Sequence, residues 1–154
     1  MTYLSRGPGT KETTDAHVPL AFLCFSVQDN ETSRAQFVAE LSACKTPLTV
    51  ENWSREGQSP RVEWQKQVQD QIGRSDIVIV LVGKDAAKAA NVSSEIALSK
   101  TRNVPFFGVY VDGADANSDL PAGLPRNRTI VWDWERVSTA ITQLMREGKH
   151  HVFA

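Results

Sequence analysis

Runs of apolar residues alternate along this chain with segments in which apolar residues recur every three or four positions. The nearly continuous apolar run at 19–26 and the β-branched run at 77–82 predict strands that are buried on both faces. The run at 104–111 predicts another strand, and the shorter segments 48–53 and 129–131 bring the total to five. Since every position of 77–82 is apolar, this strand is expected at the centre of a parallel sheet.

Helical periodicity fills the intervals between these strands. Helices are predicted at about 30–45, 60–73, 91–101 and 133–147. Asn30 and Ser59 are expected to cap the first two, and Gly73 is expected to end the second. Residues 112–127 predict a long loop, and the polar segment 1–17 predicts a flexible N-terminal arm. The alternating order predicts one flavodoxin-like α/β domain over 18–154, with helices on both faces of a central parallel five-stranded sheet.

Composition and charge narrow the classes of function. The chain has 154 residues, which suits one domain, and its 17 basic and 18 acidic residues nearly cancel. No strong field is therefore expected to attract nucleic acid or an anionic membrane. The two cysteines, Cys24 and Cys44, are too few for a disulfide scaffold or a four-ligand zinc site, and buried free thiols are expected. Since the sequence shows neither a membrane-spanning run nor a signal peptide, a cytoplasmic setting is expected.

Candidate chemistry is sought at the carboxyl ends of the strands, where ligands bind in parallel sheets. The segments expected there are 26–30, 52–59, 83–95 and 112–128. None carries a glycine-rich phosphate-binding fingerprint or a nucleophile elbow. The three histidines, His17, His150 and His151, lie near the chain ends, so neither a histidine-based catalytic triad nor a metal centre is expected.

One carboxylate stands out by its position. Glu95 follows the central strand by about twelve residues and falls in the first turns of the helix predicted from residue 91. The positive end of the helix dipole favours an ionised glutamate there, at the ligand-binding edge of the sheet. Position alone leaves two interpretations open, a catalytic carboxylate and a solvated charge near a helix end.

Several segments, taken in order, resemble the TIR (Toll/interleukin-1 receptor) domain and its bacterial relatives. Residues 21–26 followed by Asp29 resemble the opening box of the family, and 75–83 resemble its "S-D-x-V-I-V-L-I-S/G" strand. Residues 91–98 resemble its "W-V-x-x-E-I-x-x-A" helix, and 104–111 fit its following strand. The resemblance covers about 20–144 and is closest to TIR-like proteins of the Thoeris phage-defence type.

The resemblance implies an NAD-consuming enzyme in bacterial antiphage defence, with residues 18–154 as the TIR-like domain. In enzymatic relatives a glutamate of that helix acts at the nicotinamide ribose, and the matching residue here is Glu95. Nicotinamide then leaves, and ADP-ribose, a cyclic isomer or a conjugate results. NAD is the substrate, and no further cofactor or metal is implied. Implied partners are a second copy of the chain or another TIR protomer, and a separate effector that senses the product.

The resemblance and the position at the sheet edge also suggest NAD-binding residues. They are Ser26, Asp29, Trp53, Lys84 and Asn91. Structural interpretations stay open for several of them, because a serine can end a strand, an aspartate can cap a helix, a tryptophan can pack and a loop lysine needs no ligand. The chain also departs from the family pattern, since Val27 replaces an aromatic residue and Asn91 replaces the tryptophan four residues before the glutamate.

Other classes of function compete with this interpretation. A non-enzymatic TIR module would use the loop at 52–59 to assemble with other TIR domains. An enzyme similar to nucleoside deoxyribosyltransferases would share a related sheet and a carboxylate nucleophile. A receiver domain is set aside, because its acceptor aspartate would end the central strand, where this chain has Gly83.

Overall fold

The strands of this protein form one parallel sheet. The computed structural model describes residues 18–26, 29–43, 48–50 and 61–147, and the side chains of all of these except 61–65. Within those ranges the strands are β1 (Leu20–Cys24), β2 (Thr49–Val50), β3 (Ile77–Val82), β4 (Phe106–Tyr110) and β5 (Thr129–Ile130). They lie in the order β2-β1-β3-β4-β5, and every neighbouring pair is parallel. The predicted five-stranded parallel sheet is confirmed, with β3 at its centre.

Helices connect the strands as the periodicity predicted. In the described part of the chain they are α1 (Glu31–Ala43), α2 (Arg61–Arg74), α3 (Ala90–Thr101) and α4 (Trp134–Glu147). Short 3-10 turns lie at Ala86–Lys88 and Arg126–Arg128, and no α-helix joins β4 to β5. None of these helices combines the length and the apolar character that a membrane span requires.

The core has two layers, one on each face of the sheet. On one face Ile77, Ile79 and Leu81 of β3 pack in a cluster with buried side chains of α1 and α4. On the other face Val78 and its alternate neighbours pack with buried side chains of α2 and α3. All six side chains of β3 are fully buried. Each strand residue points to the opposite face from the one before, so a strand covered on both sides must be apolar throughout.

One predicted helix end and one predicted side-chain cap are wrong, although α1 begins directly after Asn30 as expected. Gly73 lies inside α2, which continues to Arg74, and the Ser75 hydroxyl donates a 2.7 Å hydrogen bond to the Gln71 carbonyl at the real end. The side chain of Asn30 does not cap α1, because its amide donates to Asp112 instead, although its own carbonyl accepts the first helical bond from Arg34 at 2.9 Å. The Ser59 cap, Cys44 and Trp53 lie outside the described residues.

Candidate active site

The strand order has a topological switch point at the carboxyl ends of β1 and β3, where a ligand-binding crevice is expected. The chain leaves β1 towards β2 on one side and leaves β3 towards β4 on the other, so the two connections diverge between them. Such a divergence opens the ligand-binding crevice of parallel α/β sheets. Ser26 follows β1, Gly83 follows β3 and Asp112 follows β4 at this edge. The crevice is therefore the first place to look for function.

Helix α3 carries a carboxylate into the protein interior. Glu95 is only 1% exposed, and it shares the buried face of α3 with Val92, Ile96 and Ser99. These residues recur at the spacing of one helix face, so the helix geometry that buries the apolar side chains also buries the glutamate. This finding excludes a solvated charge at the helix end. Because burial of an ionisable group is costly, a buried glutamate in an apolar face needs a compensating role or partner.

Asn91 links this carboxylate to the end of β1. Its side-chain nitrogen Nδ2 donates to the backbone carbonyl of Phe25 at 3.0 Å and lies 3.4 Å from Oε2 of Glu95. Asn91 and Glu95 are four residues apart on α3, which brings their side chains together on one helix face. The Cys24 thiol also reaches α3, with its Sγ 3.6 Å from the carbonyl oxygen of Val92. The first turn of α3 is therefore held against the carboxyl end of β1.

Ser26 and Asp29 form a small hydrogen-bonded turn directly after β1. The Ser26 hydroxyl donates to the Asp29 carboxylate at 2.8 Å, and the Asp29 backbone N–H lies 3.4 Å from that hydroxyl oxygen. Ser26 is buried, whereas Asp29 is exposed. A buried hydroxyl and an exposed carboxylate thus lie next to the strand end that Asn91 contacts.

A second polar cluster at this edge was missed by the sequence analysis. The side chains of Asn30 and Ser33 both donate hydrogen bonds to the carboxylate of Asp112. Asp112 has φ +54° and Gly113 has φ +78°, so the chain makes a left-handed turn shortly after β4 ends. An Asp-Gly pair after an apolar run signals such a turn, but it does not reveal that the aspartate bonds to α1.

Lys84 lies on the exposed side of the same edge. Its Cε and Nζ atoms come within 3.3 and 3.5 Å of the position that a Cβ on Gly113 would take. It therefore contacts the turn after β4, while Ser26, Asp29, Asn91 and Glu95 are linked through the end of β1. Trp53 lies outside the described residues, and the NAD-binding roles of all these side chains stay predictions.

No metal-binding site is evident among the side chains that the structure describes. Within that part of the chain, no group of three or more histidine, cysteine, aspartate or glutamate residues is arranged to hold a metal ion. Cys24 is a buried free thiol, as predicted. Among the described residues, this edge offers the Glu95 carboxylate, hydroxyl and amide groups, and the charges of Asp29, Lys84 and Asp112.

The sequence and the structure were each compared with known proteins. The family model described as "Thoeris protein ThsB, TIR-like domain" matches residues 22–116, which include the second half of β1, Glu95 and the turn after β4. No curated protein sequence matches the chain significantly.

Solved structures with TM-scores of 0.54 show a likeness in fold. A prokaryotic SEFIR domain is 14% identical, with a TM-score of 0.54, over 83% of this chain and 90% of that one. The 2-deoxyribosyltransferase of Bacillus psychrosaccharolyticus is 18% identical, with a TM-score of 0.54, over 77% and 90%. The TIR domains of the activated Roq1 resistosome, which recognises the pathogen effector XopQ, are 17% identical, with a TM-score of 0.47, over 64% and 60%.

Proposed function

This chain belongs to the TIR-like domain family of the Thoeris protein ThsB, and on that premise we propose that it consumes NAD, with Glu95 as its catalytic carboxylate. The family supports a TIR-type role in defence. The proposed reaction cleaves the bond between nicotinamide and ribose and produces a cyclic or otherwise modified ADP-ribose signal. A separate effector protein then senses this product.

The observation that carries the proposal is the burial of Glu95 beside the ligand-binding edge of the sheet. The carboxylate lies in an apolar helix face and is joined through Asn91 to the end of β1. A fixed negative charge in a water-poor environment stabilises a developing positive charge more strongly than the same group in water. Glycosidic cleavage builds such a charge on the sugar.

Cleavage of the bond between nicotinamide and ribose needs few catalytic groups from the protein. The bond between ribose C1′ and the nicotinamide nitrogen breaks, and its electron pair stays on that nitrogen, so nicotinamide leaves neutral. No general acid has to protonate the leaving group, and no histidine is required. Water adds to C1′ and loses a proton in hydrolysis, whereas a nitrogen or oxygen of the same nucleotide replaces water in cyclisation.

The other predicted binding residues take supporting roles in this proposal. The Ser26 hydroxyl and the Asp29 carboxylate, which lie together after β1, suit hydrogen bonds to ribose hydroxyls. The exposed ammonium of Lys84 suits the pyrophosphate. Trp53 is proposed to stack on a ring of NAD.

The decisive experiment measures NAD turnover and identifies the products by chromatography and mass spectrometry. Glu95→Gln keeps the size of the side chain and removes its charge, and we expect it to lower turnover at least about 100-fold. The matched control is Glu135→Gln, which makes the same change at an exposed position in the first turn of α4 and should leave turnover unchanged. Equal activity of wild type and Glu95→Gln would refute the catalytic role.

The same assay separates the competing functions. Turnover per molecule that rises with protein concentration would support assembly with a second copy of the chain. Addition of a protein-free filtrate of the reaction to the effector protein should activate that effector. Absence of NAD turnover at every concentration, also with extract of infected cells, would favour the non-enzymatic TIR module. Transfer of deoxyribose between free bases would favour the deoxyribosyltransferase interpretation instead.

A further inference from the structure

The start of α3 lacks the usual side-chain cap. Ala89 precedes the helix in an extended conformation and offers no side-chain hydrogen bond to the first turn. Such a helix start is free to fray unless tertiary contacts hold it. Asn91, the second residue of α3, provides one such contact through its hydrogen bond to the Phe25 carbonyl. The amide therefore anchors the helix turn that carries the reactive side chain.

The same amide group also contacts the carboxylate of Glu95. An amide nitrogen carries two hydrogens, so Nδ2 can donate to the Phe25 carbonyl at 3.0 Å and to Glu95 Oε2 at 3.4 Å at the same time. Phe25 is 5% exposed and directly follows the last residue of β1. Asn91 thus bridges the Glu95 carboxylate to the backbone directly after β1.

We propose that Asn91 is a positioning residue, which holds the Glu95 carboxylate in register with the carboxyl end of β1. This inference rests on the proposed NAD-consuming function. A glutamate side chain has three rotatable bonds, and a displacement of about 1 Å in an active site costs up to about 100-fold in rate. Because both hydrogens of Nδ2 serve protein acceptors, the Asn91 amide acts on the reaction through Glu95.

Positioning and substrate binding predict different kinetics. Asn91→Ala removes both hydrogen bonds, and we expect kcat to fall about 10- to 100-fold while KM for NAD changes less than about 3-fold. Asn91→Asp keeps the shape but sets a carboxylate against Phe25 O and Glu95, so it should lose at least as much. The control Ser94→Ala, at an exposed position of α3, should match wild type.

A binding measurement provides the second test. NAD is titrated onto Glu95→Gln and onto the Glu95→Gln, Asn91→Ala double variant, with thermal unfolding to confirm that both fold. Positioning predicts affinities within about 3-fold of each other, because Asn91 acts on the glutamate. Affinity at least about 10-fold weaker in the double variant, or wild-type kcat in Asn91→Ala, would overturn the assignment and leave the proposed function intact. An inactive wild type would overturn both.

Discussion

Gly83 offers the sharpest test of how the candidate site is built. It directly follows β3, and a Cβ at this position would lie 2.5 Å from Nδ2 and 2.9 Å from Oδ1 of Asn30. Protein atoms do not approach so closely, so in Gly83→Ala the Asn30 side chain must shift. That side chain is 3% exposed and donates a hydrogen bond to Asp112, which a shift would break. Because the backbone of Gly83 does not have a positive φ, the cost is steric.

The expected loss of stability for Gly83→Ala is about 2–5 kcal/mol. Overpacking a tight site costs about 1–3 kcal/mol, and a hydrogen bond to a charged group contributes about 1.5–3 kcal/mol. The smaller entropy of the unfolded alanine chain offsets about 0.4–1 kcal/mol. Urea unfolding, followed by tryptophan fluorescence, measures the free energy of unfolding of the variant and of the wild type. A loss of this size is easily resolved, because a typical domain is stable by only about 5–15 kcal/mol.

Two controls make this prediction refutable. Gly73→Ala makes the same change inside α2, where the new Cβ meets only the guanidinium of Arg102 at 3.3 Å, so helix propensity should leave stability equal or raise it by up to about 1 kcal/mol. In an Asn30→Ala background, Gly83→Ala should cost less than about 1 kcal/mol. An undiminished cost in that background would refute the clash with Asn30 as the cause.

Two further predictions concern the contact between α1 and α4. The Trp134 indole N–H donates to Glu40 at 2.8 Å, and this bond, followed by that of Gln36, lowers the pKa of Glu40. A lowered folded pKa stabilises the fold above the unfolded pKa, and this stability is lost as pH falls through the folded pKa. Urea unfolding of Trp134→Phe should therefore show a larger deficit at about pH 7 than at about pH 3, and equal deficits would contradict the linkage. Phe37 is fully buried, with ring centroids 5.6 and 4.9 Å from Trp132 and Trp134, so Phe37→Ala should cost about 3–5 kcal/mol in the same assay, whereas a loss under about 1 kcal/mol would contradict its central packing.

Local pattern was enough to predict the elements and their layering. The uniformly apolar β3 indicated a central strand, and the structure places it between β1 and β4. Helix ends were harder to predict, since Gly73 keeps a helical backbone and Asn30 uses its amide for a distant partner. Capping propensity describes only the neighbouring residues, and a tertiary hydrogen bond overrides it.

The candidate site was only partly visible in the sequence. Glu95 could be picked out by its position after the central strand and by the family pattern around it. The burial of Glu95 could not be predicted, because an acidic residue near a helix start usually faces solvent. Only the packing of α3 against the sheet decides that the face carrying Val92 and Ile96 also takes Glu95 inside.

By itself, the sequence determined which segments become strands and helices, because those preferences follow from local polarity and side-chain shape. It also determined that Asn91 and Glu95 share a helix face, since they lie four residues apart. Tertiary structure alone decided that Asn91 reaches Phe25, 66 residues away, and that Asn30 reaches Asp112, 82 residues away. These contacts depend on strand order and on the packing of helices across the sheet, which no local window of the chain encodes.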